Sequence, residues 1–145
     1  MTFQFSLQKV LEYKENEKLE AEQNYQNAMD SFENIATELY HVLKRKEELE
    51  ESYEQRIKQG VPIADIQQIQ DTLSHLYKKI DHLQKQTQSA RDSMNKEHEI
   101  LIDRSVDVKK YEKMKQRKYD QHRRDMLHEE MKQLDEISVQ QFMSK

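Results

Sequence analysis

The chain has 145 residues, of which 36% are charged and only 34% hydrophobic, and it carries a formal net charge of −4. Compact domains are about half apolar, so there is too little material here for a layered core, though enough for one narrow seam along a helix. Without a cysteine there is no disulfide framework, thiolate nucleophile or zinc–thiolate cluster.

The opening, Met1-Thr2-Phe3-Gln4-Phe5-Ser6-Leu7, has neither the basic region nor the apolar stretch of a signal peptide. From there a three-four spacing sets in: Leu7, Leu11, Lys14, Lys18, Ala21, Tyr25, Ala28, Phe32, Ile35, Leu39, Val42, Lys46, Leu49, Tyr53 and Arg56 share one frame. Eleven of these fifteen are apolar or aromatic. A disordered polyampholyte has the same composition but does not keep such a frame. The pattern predicts a coiled-coil helix over roughly residues 3–58.

Gly60 and Pro62 are the only glycine and the only proline. Glycine permits φ > 0, and proline removes an amide donor and disfavours helix at the residue before it. A corner at about 59–63 follows, because nothing else in the chain breaks a helix.

Beyond the corner the same rule resumes with Ile66, Ile69, Leu73, Leu76, Ile80, Leu83, Thr87, Ala90, Met94, Glu97, Leu101, Arg104, Val108 and Tyr111. A second helix is predicted over about 64–140. Its frame weakens through Lys115, Lys118 and His122, and a shifted stripe appears at Leu127, Met131, Leu134 and Ile137. Such a phase change alters winding or marks where a partner helix ends. Folding back at Gly60 sets Ala28 against Met94, Leu39 against Leu83 and Phe3 near Tyr119. The expected fold is therefore all-α, one elongated unit over 1–145: a long antiparallel two-helix coiled-coil hairpin, paired over ~85 Å, with a carboxy-terminal helical overhang from about residue 120. The alternative is a parallel homodimer of bent rods. The short corner favours the hairpin, since it holds the second helix at high effective concentration. Polar seam positions (Lys14, Lys18, Lys46, Arg56, Glu97, Arg104) fix register or mark unpaired stretches.

Charge is unevenly placed. Residues 1–59 carry 8 basic and 13 acidic side chains, whereas 109–124 carry 8 basic against 2 acidic. This band at the base of the hairpin suits an acidic partner protein; a solvated face is the plain alternative, and nucleic acid fits poorly with a chain that is acidic overall. Chemistry is not in evidence. One glycine cannot build a phosphate loop; Glu38-x-x-His41 would need a second such motif and two further glutamates to make a di-iron bundle, and the nearest copy, Asp125-x-x-His128, falls in the overhang far from Glu38. His128-Glu129-Glu130-Met131-Lys132 has a lysine where a zincin helix needs its second histidine. His75 and His82, one heptad apart, are too distant to share a metal. No enzyme activity, cofactor, metal or small-molecule substrate is expected, and no apolar run approaches the ~20 residues of a membrane span.

Three features together resemble the FliJ family of the bacterial flagellar type III export apparatus. They are Phe3-x-Phe5-x-Leu7-x-x-x-Val10-Leu11 ahead of a long acidic helix, the short Gly/Pro corner, and the tail Tyr111-Glu112-Lys113-x-x-x-x-x-Tyr119 followed by Glu129-Glu130-x-Lys132-x-Leu134-Asp135-Glu136. The resemblance implies a cytoplasmic protein, peripheral to the inner membrane through its partners, with a fold similar to the gamma subunit of rotary ATPases. It implies docking into a hexameric, FliI-like export ATPase, contact with an FlhA-like export gate, and escort of export chaperones. Carried onto this chain, ring contacts fall on Leu127, Met131, Leu134, Asp135, Glu136 and Ile137, with Lys118, Arg123 and Arg124 at the ring mouth. Gate contacts fall on Leu49, Tyr53, Ile69, Leu73 and Leu76, positions that plain seam packing also explains. A generic cytoplasmic scaffold that homodimerises through its seam is the competing function.

Overall fold

In the computed structural model, which describes residues 2–144, the only regular elements are two helices, α1 (Gln8–Gln59) and α2 (Ile63–Met143). They pack antiparallel as a hairpin. Gly60 sits at φ 76°, the left-handed conformation that terminates helices and that L side chains adopt only at a cost. Its amide donates to the Ile57 carbonyl at 3.3 Å, closing the last turn of α1, where Arg56 and Lys58 complement the helix dipole. On the far side the Pro62 carbonyl accepts from Asp65 (3.1 Å) and Ile66 (3.4 Å), which starts α2.

Contacts group the residues into two parts, 21–101 and 1–20 with 102–145. In the part that contains the corner, Val42, Leu76, Ile80 and Leu83 form the buried core, packed by Ile35, Leu39, Leu43 and Leu49. Each such side chain contributes roughly 1.5–3 kcal/mol on burial. Polar bonds across the seam flank this core. The Tyr77 hydroxyl donates to Glu50 Oε1 at 2.6 Å, Gln70 Nε2 donates to the Tyr53 hydroxyl at 3.2 Å, and Lys79 lies 3.9 Å from Glu38. Farther from the corner, small residues replace large ones, and a furrow of about 370 Å³ opens beside Ala28, Ala90, Ser31 and Ser93. There the Tyr25 ring meets the His98 ring at 5.1 Å, and the Arg91 guanidinium lies over the Phe32 ring at 5.6 Å.

In the other part, Phe5, Leu11 and Val108 are buried, with Phe3, Leu7 and Tyr111 packed against them. Residues 3–7, expected to be helical, are not: α1 begins at Gln8, after a turn closed by the Gln8 amide on the Phe5 carbonyl at 3.0 Å. The physical reason is visible in Phe3-x-Phe5-x-Leu7. A helix would place Phe3 and Leu7 on one face and Phe5 on the opposite one, whereas a non-helical segment lets all three pack on the same core. The segment thus becomes a strap along α2, and Phe3 meets Tyr119 edge-on at 5.4 Å and His122 at 5.5 Å. Phe3 is thus found at Tyr119, as the hairpin register predicts, and also at His122; His122 and Met126 are still half-buried, and continuous exposure begins at Leu127 instead of near 120. Of the polar seam residues here, Lys14 and Arg104 are paired. Glu17 lies 3.6 Å from Lys14 and 3.8 Å from Arg104, while Lys14 also reaches Asp107 at 3.9 Å.

Candidate partner-binding surface

From Leu127 to Ser144 every described side chain is exposed, yet the backbone remains helical as far as Met143. Leu127, Met131, Leu134 and Ile137 are therefore apolar side chains presented to solvent, Leu134 at 62% exposure. Asp135 and Glu136 are exposed beside them, and with Lys132, Val139 and Gln140 they line a shallow groove. Lys118, Arg123 and Arg124 are exposed about one to two and a half turns earlier, and Arg124 donates to Gln121 at 3.1 Å. The nine residues expected at an ATPase ring thus lie along a single helix, with the three basic ones leading to the apolar ones.

The five residues expected at an export gate sit differently. Ile69 and Leu73 are 8% exposed and Leu76 6%, all within the seam; Leu49 and Tyr53 are half-buried at its rim. Their first role is packing. A protein surface could touch Leu49 and Tyr53 without disturbing the hairpin, but not the other three.

The heptad reading missed two features. Val139, Phe142 and Met143 extend the exposed apolar surface nearly to the end of the chain, Phe142 at 82%. Their signal was the four-three spacing Asp135–Val139–Phe142, which starts on a charge and so falls outside an apolar frame. The second is the Lys46–Glu50–Tyr77 cluster. Lys46 lies 3.9 Å from Glu50 and over the Tyr77 ring at 5.8 Å. The Glu50 carboxylate, accepting the hydroxyl's hydrogen bond, pushes the Tyr77 pKa upward. Only the folded register brings these residues together. Glu38 and His41 line a furrow with Val42, Arg45, Leu76 and Lys79. Among the described residues no three His, Cys, Asp or Glu side chains converge to hold a metal ion, and no helix is long and apolar enough to cross a membrane.

The family model for the flagellar FliJ protein matches residues 3–145, nearly the whole chain. This chain belongs to the flagellar FliJ family. The FliJ protein of Bacillus subtilis (strain 168) is 38% identical over 143 residues, which is 99% of this chain and 97% of that one. Among solved structures, the YscO-like protein CT670 of Chlamydia trachomatis superposes with a TM-score of 0.70 at 17% identity, covering 94% of this chain and 93% of that one. At that identity the likeness concerns the fold. The FliJ match runs through the strap, the seam and the exposed end alike, so none of these is an appendage to the family's shared region.

Proposed function

We propose that this FliJ-family chain is a non-enzymatic component of the flagellar type III protein export apparatus. It acts as a stalk whose exposed carboxy-terminal helix seats in the hexameric export ATPase, couples that ring to the export gate, and helps escort export chaperones. The observation that carries the reading is the helix beyond Met126, which keeps an apolar stripe exposed, with no other described segment of the chain over it. A partner protein surface would bury Leu127, Met131 and Leu134, at roughly 1.5–3 kcal/mol each. The seam, by contrast, is filled from within one chain, which removes the surface that a homodimeric scaffold would use. In this reading Lys118, Arg123 and Arg124 stand at the ring mouth and Asp135 and Glu136 inside it. The gate meets Leu49 and Tyr53 at the seam rim, with Ile69, Leu73 and Leu76 holding them from behind. The protein works at the cytoplasmic face of the inner membrane, held there by its partners.

The test is co-purification with the export ATPase, scored for stimulated hydrolysis. Wild-type chain is expected to bind and stimulate. Leu134→Glu is expected to do neither while keeping its circular dichroism. Undiminished binding by that variant would remove the site assignment.

A further inference from the structure

The side of α2 that faces the strap and α1 is marked by half-buried Lys115, His122 and Met126. Continued at 100° per residue, that side carries exposed Asp125, Glu129 and Glu136 together with Gln133, Gln140 and one apolar residue, Ile137. The opposite side is organised otherwise. Lys110, Lys113, Arg117 and Arg124 all lie within about 60° of the direction opposite His122, and so do Leu127, Met131 and Leu134. The steps between them follow one three-four sequence, interrupted only at Asp120, which accepts a hydrogen bond from Gln116. Leu127, Met131 and Leu134 of the shifted stripe therefore lie on the outer face of α2, which runs from the paired region into the free end, while Ile137 turns toward the His122 side. It is basic for its first ~21 Å and apolar for the next ~15 Å, and Phe142 returns to the same side farther on. All seven side chains are exposed. Among the described residues none of the four cations has a carboxylate partner within salt-bridge distance.

We infer that this outer face is a one-sided docking surface for a protein that presents carboxylates first and an apolar groove next, in that order along α2. The occupant is a protein and not a lipid surface because of what flanks the apolar half. Asp125, Glu129, Glu130, Asp135 and Glu136 surround Leu127–Leu134 with Lys132 as the only lysine or arginine among them, so anionic headgroups would be repelled where the apolar residues would insert. Nucleic acid fits no better, since the face turns apolar where a phosphate track would have to continue. The inference narrows the ring docking proposed above to one face, which leaves Lys118, Glu136 and Ile137 off the contact. It rests on that reading for the partner's identity, but not for which face is used.

The experiment places a photo-crosslinking residue in the full chain at Arg117 or Met131 on the outer face, and at Asp125 or Glu129 on the opposite one, with the purified export ATPase as probe. Crosslinks from the first pair only are expected. Equal crosslinking from both pairs would mean the helix is gripped all round and would overturn the inference. In parallel, Arg117→Glu with Arg124→Glu should weaken ATPase capture at low salt by about tenfold or more, and Glu129→Lys by less than about twofold. The reverse order, or retention on anionic vesicles in place of the ATPase, would also overturn it. Should wild-type chain ignore the ATPase altogether, the ring reading fails, and the face is judged on a synthetic helix bearing Glu and then Leu at three-four spacing. Saturable binding lost in an Arg117→Glu, Leu134→Glu variant supports the face; no saturable binding overturns it. All these positions are exposed, so unchanged circular dichroism is the fold control.

Discussion

The ring of Phe3 stands edge-on to that of Tyr119, 5.4 Å between centroids and 80° between planes, in the favoured geometry of an aromatic pair. This contact ties the non-helical strap to α2 and, with His122, fixes where covered helix ends and free helix begins. Phe3→Ala removes both ring contacts from a half-buried site, and a loss of about 1–2 kcal/mol from the stability of this part is expected. Because Phe3 is outside α1, helix content should not change. Hydrogen exchange should accelerate at amides around Tyr119 and His122 and stay unaltered around Leu76. Unaltered exchange around Tyr119 would show that the strap does not secure this part of α2.

Among the described residues Gly60 is the one at positive φ, and a Cβ built there would meet nothing within 4 Å. Gly60→Ala therefore isolates backbone strain from crowding. A loss of about 1 kcal/mol is expected from the left-handed conformation alone, and a smaller loss for Gly60→Asn, whose side chain tolerates it better. Urea unfolding midpoints would measure the difference. Equal midpoints for wild type and Gly60→Ala would mean that the corner relaxes to another conformation.

Both helices, the corner and the register could be read from the sequence because they rest on short-range rules: one heptad frame on each side of two adjacent breakers. The heptad rule failed where a different period governed. Phe3, Phe5 and Leu7 repeat every two residues, and extending the predicted helix back to residue 3 hid the strap. The free stripe was legible as residues but not as a face. Leu127, Met131 and Leu134 gain their meaning from Lys113 and Arg117, four turns away, and only a helix axis relates the two groups. Tyr77 and Glu50, 27 positions apart, could not be paired from sequence because a shift of a few residues between the helices would separate them.

Leu73 and Leu134 make a matched pair for separating packing from docking. Leu73 is 8% exposed and lies in the seam, whereas Leu134 is 62% exposed. Leu73→Ala should cost about 2–4 kcal/mol; Leu134→Ala should change stability by no more than about 0.5 kcal/mol. Thermal unfolding followed by circular dichroism gives both values. In the ATPase co-purification the order should invert at temperatures where both variants are folded: Leu134→Ala weakens capture and Leu73→Ala does not. Loss of capture from Leu73→Ala in a fully folded sample would instead place a partner contact at the seam.

The Tyr77 hydroxyl donates to the Glu50 carboxylate, and that bond, reinforced by the carboxylate's charge, raises the hydroxyl pKa above its usual value near 10. The bond exists only in the folded chain and only while the hydroxyl keeps its proton. Its stabilising contribution is therefore fully present below the unfolded value of about 10, and it is lost as pH rises through the higher folded value. Folding stability of wild-type chain should fall in that alkaline window. Tyr77→Phe should be less stable at neutral pH and should lack this part of the fall. Glu50→Gln removes the charge and should return the Tyr77 pKa toward its ordinary value. Phenolate absorbance, taken as the difference between wild-type and Tyr77→Phe titrations, reads the pKa directly. A difference curve centred at or below the ordinary tyrosine value would show that the Glu50 bond does not form in solution.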